Sequence, residues 1–241
     1  MSFYDLDASS KKSRAEQLVE KDKNGAMQRA KVSKHSPGPV EDGELLARSL
    51  EYPSKFDAQG GLNDALFEDA FSHGASAQRL TKGWEIHEAD VHSRFETRAK
   101  ARRSGSGGKP ASPDFTYVGA LHLTAGELRS LRLDGDDSAR VRVYDAGDDE
   151  PDPLHAEIIA DASGLQKQQR HKLRVRLMAL AEQRGLHVSP YLDPEGQRRA
   201  ENSQCLLVQP SAKLLMKFLG EVGPDKPEET IAPLPPCDPV V

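Results

Sequence analysis

The sequence predicts an α+β domain: a small mixed or antiparallel sheet with helices on one face, between disordered N- and C-terminal tails. Three observations carry this. "FTYVGALHL" (115–123) is aromatic and β-branched, as strands are. "ARVRVYDA" (139–146) and "HAEIIA" (155–160) supply two more short strand patterns. Capped helical patterns are interleaved with them, giving the order β-α-β-β-α-β-α over 115–220 behind an irregular, partly helical section at 44–100. The organisation that follows is a flexible basic tail at 1–36, a single domain at 37–220 with a loop insertion at 101–114, and a Pro-rich tail at 221–241.

The elements follow in chain order. Ser13-Arg14-Ala15-Glu16 fits a capping box, so a short helix to about Asn24 is expected, with Gly25 as its stop. Leu18 and Val19 are its only apolar anchors, which assigns it to the tail or to a helix that folds on a partner. "HSPGPVEDG" (35–43) reads as a linker into the domain. "ELLARSLEY" (44–52) is apolar and fits strand or helix, and Pro53 ends it. In "DALFEDAF" (64–71) apolar residues recur at helical spacing, and "SHGAS" closes that helix.

Residues 81–100 hold the single tryptophan, Trp84, and are expected to be a helix facing the core with Trp84, Val91 and Phe95. "ARRSGSGGKPASPD" (101–114) has a flexible-loop composition. After the 115–123 strand, Thr124 and Glu127 form a capping box for a short helix bearing Leu128 and Leu131. Ser163 and Gln166 offer another box, opening a helix to Arg184 that Gly185 stops, with Leu165, Leu173, Leu177 and Leu180 as its buried stripe. "QCLLVQP" (204–210) is expected as a last strand and "SAKLLMKFLG" (211–220) as a last helix. Six of the final 21 residues are proline, which gives an extended end.

Composition narrows the function classes. The net charge is −5, so bulk charge recruits neither nucleic acid nor an anionic membrane. Charge is segregated along the chain: residues 94–109 carry six cations against Glu96, and residues 134–161 carry ten acids against Arg140 and Arg142. Cys205 and Cys237 are the only cysteines, which excludes a disulfide framework and a zinc ribbon and fits a reducing cytoplasm. The N-terminus has no apolar signal core, and no run approaches the roughly 18 apolar residues of a membrane span.

The motifs are sparse. "HEADVH" places His87 and His92 five apart, whereas a zincin needs four so that both histidines share a helix face. A solvated helix and no metal are expected. The acidic runs "DGDD" (134–137) and "DAGDDE" (145–150) miss the calcium-loop register and read as solvated turns. No nucleotide-binding glycine motif and no nucleophile elbow occurs, so no cofactor is expected. Cys205, inside an apolar run, reads as a small buried hydrophobe.

Two groups of residues remain as site candidates. Arg98, Lys100, Arg102 and Arg103 beside the Gly/Ser loop, with Lys167, Arg170 and Arg174 on the long helix, are placed to contact phosphates. The alternative is an amphipathic helix whose basic stems cover core edges. His155, after an acidic turn, is a candidate general acid if a partner group stands beside it, and otherwise a strand-edge histidine.

The segments "ELLARSLEYPSKFDAQGGLNDALFEDAFSHGASAQRL" and "YVGALHLTAGELRSL…EPDPLHAEIIADASGLQKQQRHKLRVRLMALAEQRG" resemble a family of small uncharacterised bacterial proteins. Its marks are a Ser-x-x-Arg step, a glycine-containing strand, a proline-preceded His-Ala pair and a basic C-terminal helix. Ser76, Arg79, Gly119, His155 and Ala156 are the matching positions, within about residues 40–185. The 85–114 insertion, both tails and the 186–220 extension depart from the family. The resemblance implies genes near mobile or defence-related elements and brings Ser76 and Arg79 beside His155 as weak catalytic candidates. The leading expectation is a non-enzymatic cytoplasmic accessory protein acting with a protein partner in a complex. The alternatives are nucleic-acid binding or processing by the basic segments 94–109 and 164–184, and an enzyme centred on His155.

Overall fold

The computed structural model describes residues 7, 9–31, 36–57, 62–80, 88–105, 110–135, 138–146 and 154–192. Expectations for Trp84, His87, Cys205, Cys237, the 204–210 strand, the 211–220 helix and the Pro-rich end lie outside these residues.

Six strands form one antiparallel sheet: β1 (Leu45–Tyr52), β2 (Ala75–Leu80), β3 (Thr116–Thr124), β4 (Val141–Asp145), β5 (His155–Ala160) and β6 (Leu186–Val188). Their spatial order is β4-β5-β2-β1-β3-β6. Among the described residues four α-helices accompany them: α1 (Arg14–Lys21), α2 (Glu88–Ser104), α3 (Ala125–Ser130) and α4 (Lys167–Arg184). The fold class is therefore α+β, with an antiparallel sheet.

Side chains alternate across each strand, so neighbouring residues serve different layers. On the first face, Leu46 and Leu50 of β1, Leu121 and Leu123 of β3, and Ala156 and Ile158 of β5 join one large core. Leu128 of α3, the 3₁₀ segment Asp64–Phe71, and Leu173, Leu177 and Met178 of α4 cover it. The second face carries helices too. Ala15, Leu18 and Val19 of α1 pack on Tyr144 and Ile159. Val91, Phe95 and Ala99 of α2 pack on Ala47, Tyr117 and Ala120. A shift of register at Leu50/Glu51 moves Tyr117 onto this face.

The anticipated N-terminal tail is, from Ser13 to Arg29, part of the folded body. Its helix has the expected capping box, with the Ser13 side chain accepting from the Glu16 N–H and the Glu16 carboxylate from the Ser13 N–H. Leu18 is fully buried. Two apolar anchors suffice because buried polar bonds do the rest. Arg142 of β4 donates to the Asp22 carbonyl and, at 3.0 Å, to Asp161. The Tyr144 hydroxyl donates to Asp22 at 2.9 Å, and burial pushes its phenol pKa well up, so the proton stays in place.

Gln28, in the 3₁₀ turn Ala26–Arg29, seals the outer edge of β4. Its side-chain oxygen accepts from the Val143 N–H at 3.0 Å, while Arg129 of α3 donates to the Val143 carbonyl at 2.9 Å. Side chains thus occupy the outward backbone groups at the middle of this edge strand, which hinders pairing with another chain there. Hydrogen bonds from Arg29 and Arg129 lower the pKa of the nearby Asp42 carboxyl.

Other boundaries differ from expectation for local reasons. Residues 44–52 resolve as strand, and 64–71 as 3₁₀ turns kinked at Phe67. β2, "ASAQRL", carries little strand signal in its alanines and polar residues, and the sequence assigns it no element; its pairing with β1 and β5 makes it a strand. Helix α2 continues to Ser104, so Arg102 and Arg103 lie on a helix and not in a loop. The cap of α4 is Gln166, with Gln169 as its reciprocal partner. Ser163 is drawn instead into a turn with Asp161, whose carboxylate accepts its N–H at 3.0 Å. Gly185, at φ 75°, ends α4 as expected.

Leu18→Ala is expected to lower stability by about 2–5 kcal/mol, the usual loss for a fully buried leucine. Urea unfolding of the two proteins measures it; a flexible tail would give no change.

A polar floor between two helices

The candidate site lies on the second face, where the covering is split. Helix α1 sits over β4 and β5, α2 over β1 and β3. β2 and the start of β5 lie between these contacts, and there the sheet is polar. Gln78 stands opposite His155, and Ser76 opposite Glu157. Directly paired residues share a face, so these four side chains form one patch. Two strand triplets build it, Ser76-Ala77-Gln78 and His155-Ala156-Glu157, each presenting its polar residues here and its alanine to the first-face core.

Gln78 is 2% exposed and Glu157 3%, so they form the floor; His155 and Ser76 are partly exposed. His155 Nε2 lies 3.4 Å from Glu157 Oε1. The Gln78 side-chain NH₂ is buried without a hydrogen-bond partner. Gly74 makes room for the carboxylate: it has φ 99°, and a Cβ there would overlap Glu157 and stand 2.9 Å from the Ile159 side chain. Alongside, Ala47 of β1 pairs with both Gln78 and His122. The His122 ring stacks on His187 of β6, their centroids 3.6 Å apart.

The expected trio of His155, Ser76 and Arg79 is not assembled. Arg79 follows Ala75 and Ala77 onto the first face, opposite to His155 and Ser76. Its guanidinium is also fully committed. It donates to both oxygens of Glu44 at 2.6 and 2.8 Å, to the Gly38 and Pro39 carbonyls, and to Asp145 at 3.3 Å. Arg79 is thus a structural clasp between β2, β4 and the segment 36–44. Ser36 adds a hydrogen bond from its hydroxyl to Asp145. Gln78 and Glu157 take the places beside His155. Their sequence signal is a polar–alanine–polar alternation in both strands, too short in β2 to mark a strand by itself.

The basic candidates divide between the two faces. On α2, Arg98, Lys100 and Arg102 are exposed, with the Arg102 guanidinium 5.0 Å above the Phe115 ring. Arg103 is bound to Glu96 at 2.8 Å and to the Phe115 carbonyl. On α4, Lys167 and Arg170 are exposed, while Arg174 lies 5.3 Å from the Phe71 ring centre. Helices α2 and α4 cover opposite faces, so the two groups do not merge into one surface. His92, expected on a solvated helix, is 5% exposed, and its Nδ1 lies 2.6 Å from the Tyr117 hydroxyl.

Among the described residues no helix is long and apolar enough to cross a membrane. Comparison with protein-family models, curated proteins and solved structures found no match.

Arg79→Met is expected to cost about 3–5 kcal/mol, because Glu44 and Asp145 would keep their buried charge without its counterpart. Urea midpoints of the variant and the parent check this. A loss below about 1 kcal/mol, the range of a surface pair, would remove its role as a clasp.

Proposed function

We propose that the chain is a non-enzymatic accessory protein that docks an acidic protein partner on the first turns of α4. One observation carries the reading. Lys167, Arg170, His171 and Lys172 are exposed at the N-terminal end of α4, and its first turn contains no acid. The helix dipole is positive there, so a sequence selected only for helix stability would place Asp or Glu at these positions. Cations in this place oppose the local preference, and such violations concentrate where function requires them.

The remaining cations of the helix have structural uses, and Arg170 also donates to the Leu165 carbonyl at 3.2 Å. Arg176 pairs with Asp134, Arg184 pairs with Glu127, and Arg174 covers Phe71. Glu16 of α1 feels the charge of Arg170 without a direct bond between the two side chains. The cations of α2 sit at its C-terminal end, where the dipole favours them, and need no ligand to explain them.

A protein partner is favoured over nucleic acid for two reasons. The basic groups of α2 and α4 lie on opposite faces, so neither extends the other into a track. Tyr191 is the one exposed large aromatic among the described residues, which leaves few platforms for base stacking. Residence in a reducing cytoplasm, and a bacterial setting near mobile or defence-related genes, belong to the same proposal; the cysteine usage and the family resemblance support them.

Complexes cross-linked at low salt from the source cells test the reading, with the wild-type chain against Lys167→Glu/Arg170→Glu/Lys172→Glu. The wild type is expected to retain an acidic protein, and the reversal to weaken purified binding at least about tenfold, with salt weakening the wild-type complex alone. Equal retention by both proteins, or a wild-type monomer that retains nothing, overturns the proposal. Binding of a DNA or RNA oligonucleotide with a log–log salt slope near −3, about one unit per lost cation, would assign the stripe to nucleic acid instead.

A further inference from the structure

We propose that the polar floor is a binding site for a neutral, planar donor–acceptor group: a carboxamide, or the equivalent edge of a nucleobase. The inference is independent of the docking stripe on α4, which covers the other face of the sheet.

The buried NH₂ of Gln78 is the reason to place a ligand here. A donor buried without a partner loses its water hydrogen bonds and gains nothing, so most buried polar groups in folded proteins are satisfied. Its neighbours reinforce the point. Gln78 belongs to a strand whose other positions on this stretch are alanine and serine, and an apolar side chain would join the α2 layer at Ala47 without penalty. The chain instead keeps an amide at 2% exposure, diagonal across the strand pair to a carboxylate at 3%. The carboxylate is itself accommodated deliberately, since Gly74 is the residue that leaves space for it.

The ligand class follows from what the floor offers. Gln78 supplies an N–H donor, and Glu157, diagonal to it across the β2–β5 pair, supplies acceptor oxygens. A group with an acceptor and a donor side by side matches both at once. A carboxylate ligand would answer Gln78 and meet the charge of Glu157; an ammonium would answer Glu157 and face the Gln78 N–H groups. The carboxamide and the base edge avoid both conflicts. His155 stands at the partly exposed rim, 3.4 Å from Glu157, and flanks the entry with Ser76.

The test uses the full chain labelled with ¹⁵N, following the Gln78 side-chain NH₂ and the His155 ring by NMR. Two classes of probe are added at millimolar concentration: the tripeptide Gly-Gln-Gly, and the free nucleosides adenosine and cytidine. Saturable shifts of the Gln78 NH₂ signals are expected with one probe class, and which class responds identifies the source of the group. Gln78→Leu separates binding from architecture. Replacing an unpaired buried amide by an apolar side chain of similar size leaves stability equal or raised. The same change should weaken the responding probe about tenfold, the worth of one hydrogen bond in a buried site. Glu157→Gln, which keeps the shape and removes the charge, should weaken it as well. No shift with any probe overturns the proposal, and so does a Gln78→Leu protein that binds as the parent does. Failure here leaves the α4 stripe untouched, because its readout is partner retention by a different face.

Discussion

Buried guanidinium groups hold this fold together, and two of them, Arg79 and Arg142, neutralise carboxylates that are themselves largely buried. Arg79 joins β2 to Glu44 and Asp145, Arg142 joins β4 to Asp22 and Asp161, and Arg129 joins α3 to Gln28, Asp42 and Val143. A planar fork of five donors suits this work, since it satisfies several acceptors in different segments from one position. The consequence is an N-terminal portion of modest hydrophobicity locked onto the sheet at Asp22, Gln28, Asp42 and Glu44. Such an arrangement gives little net energy over an apolar one, yet it tolerates no missing member. It therefore fixes which strand is an edge and which helix lies over which face.

That clamp also shapes the second face. Because α1 is drawn over β4 and β5, and α2 is held on β1 and β3 by Val91, Phe95 and Ala99, with only Leu80 of β2 joining that layer, Ser76, Gln78 and the start of β5 belong to neither apolar cluster. Polar residues at Ser76, Gln78, His155 and Glu157 occupy that strip, where a purely structural sheet would carry branched apolar side chains. The first face shows the contrast, with Ala75, Ala77, Ala156, Ile158 and Ala160 at the alternate positions of the same strands and Arg79 at the end of β2. One sheet thus separates a stabilising layer from a chemically furnished one.

Much of this was legible from local chemistry. The strand at 155–160, the capping boxes at Ser13 and Thr124, and the stop at Gly185 depend on neighbours within a few residues, and those neighbours are adjacent in the sequence. The strand β2 was not legible: "ASAQRL" has weak intrinsic preference, and its extended state comes from β1 on one side and β5 on the other. The candidate site was half legible. His155 stood out, but its companions were taken from sequence likeness as Ser76 and Arg79, and a single step along β2 sends Arg79 to the opposite face.

The sequence by itself determined the α+β class and most strand and helix positions between residues 115 and 185. Those follow from period, capping and turn chemistry, which act over a few residues. Only the tertiary structure decided that residues 13–29 belong to the folded body, that the basic segments of α2 and α4 face apart, and that Gln78 and Glu157 adjoin His155. Each of these rests on strands and arginines that meet across tens to more than a hundred residues, as Arg142 does with Asp22. Pairing register and the burial of charge are properties of the assembled sheet, so no local window of sequence contains them.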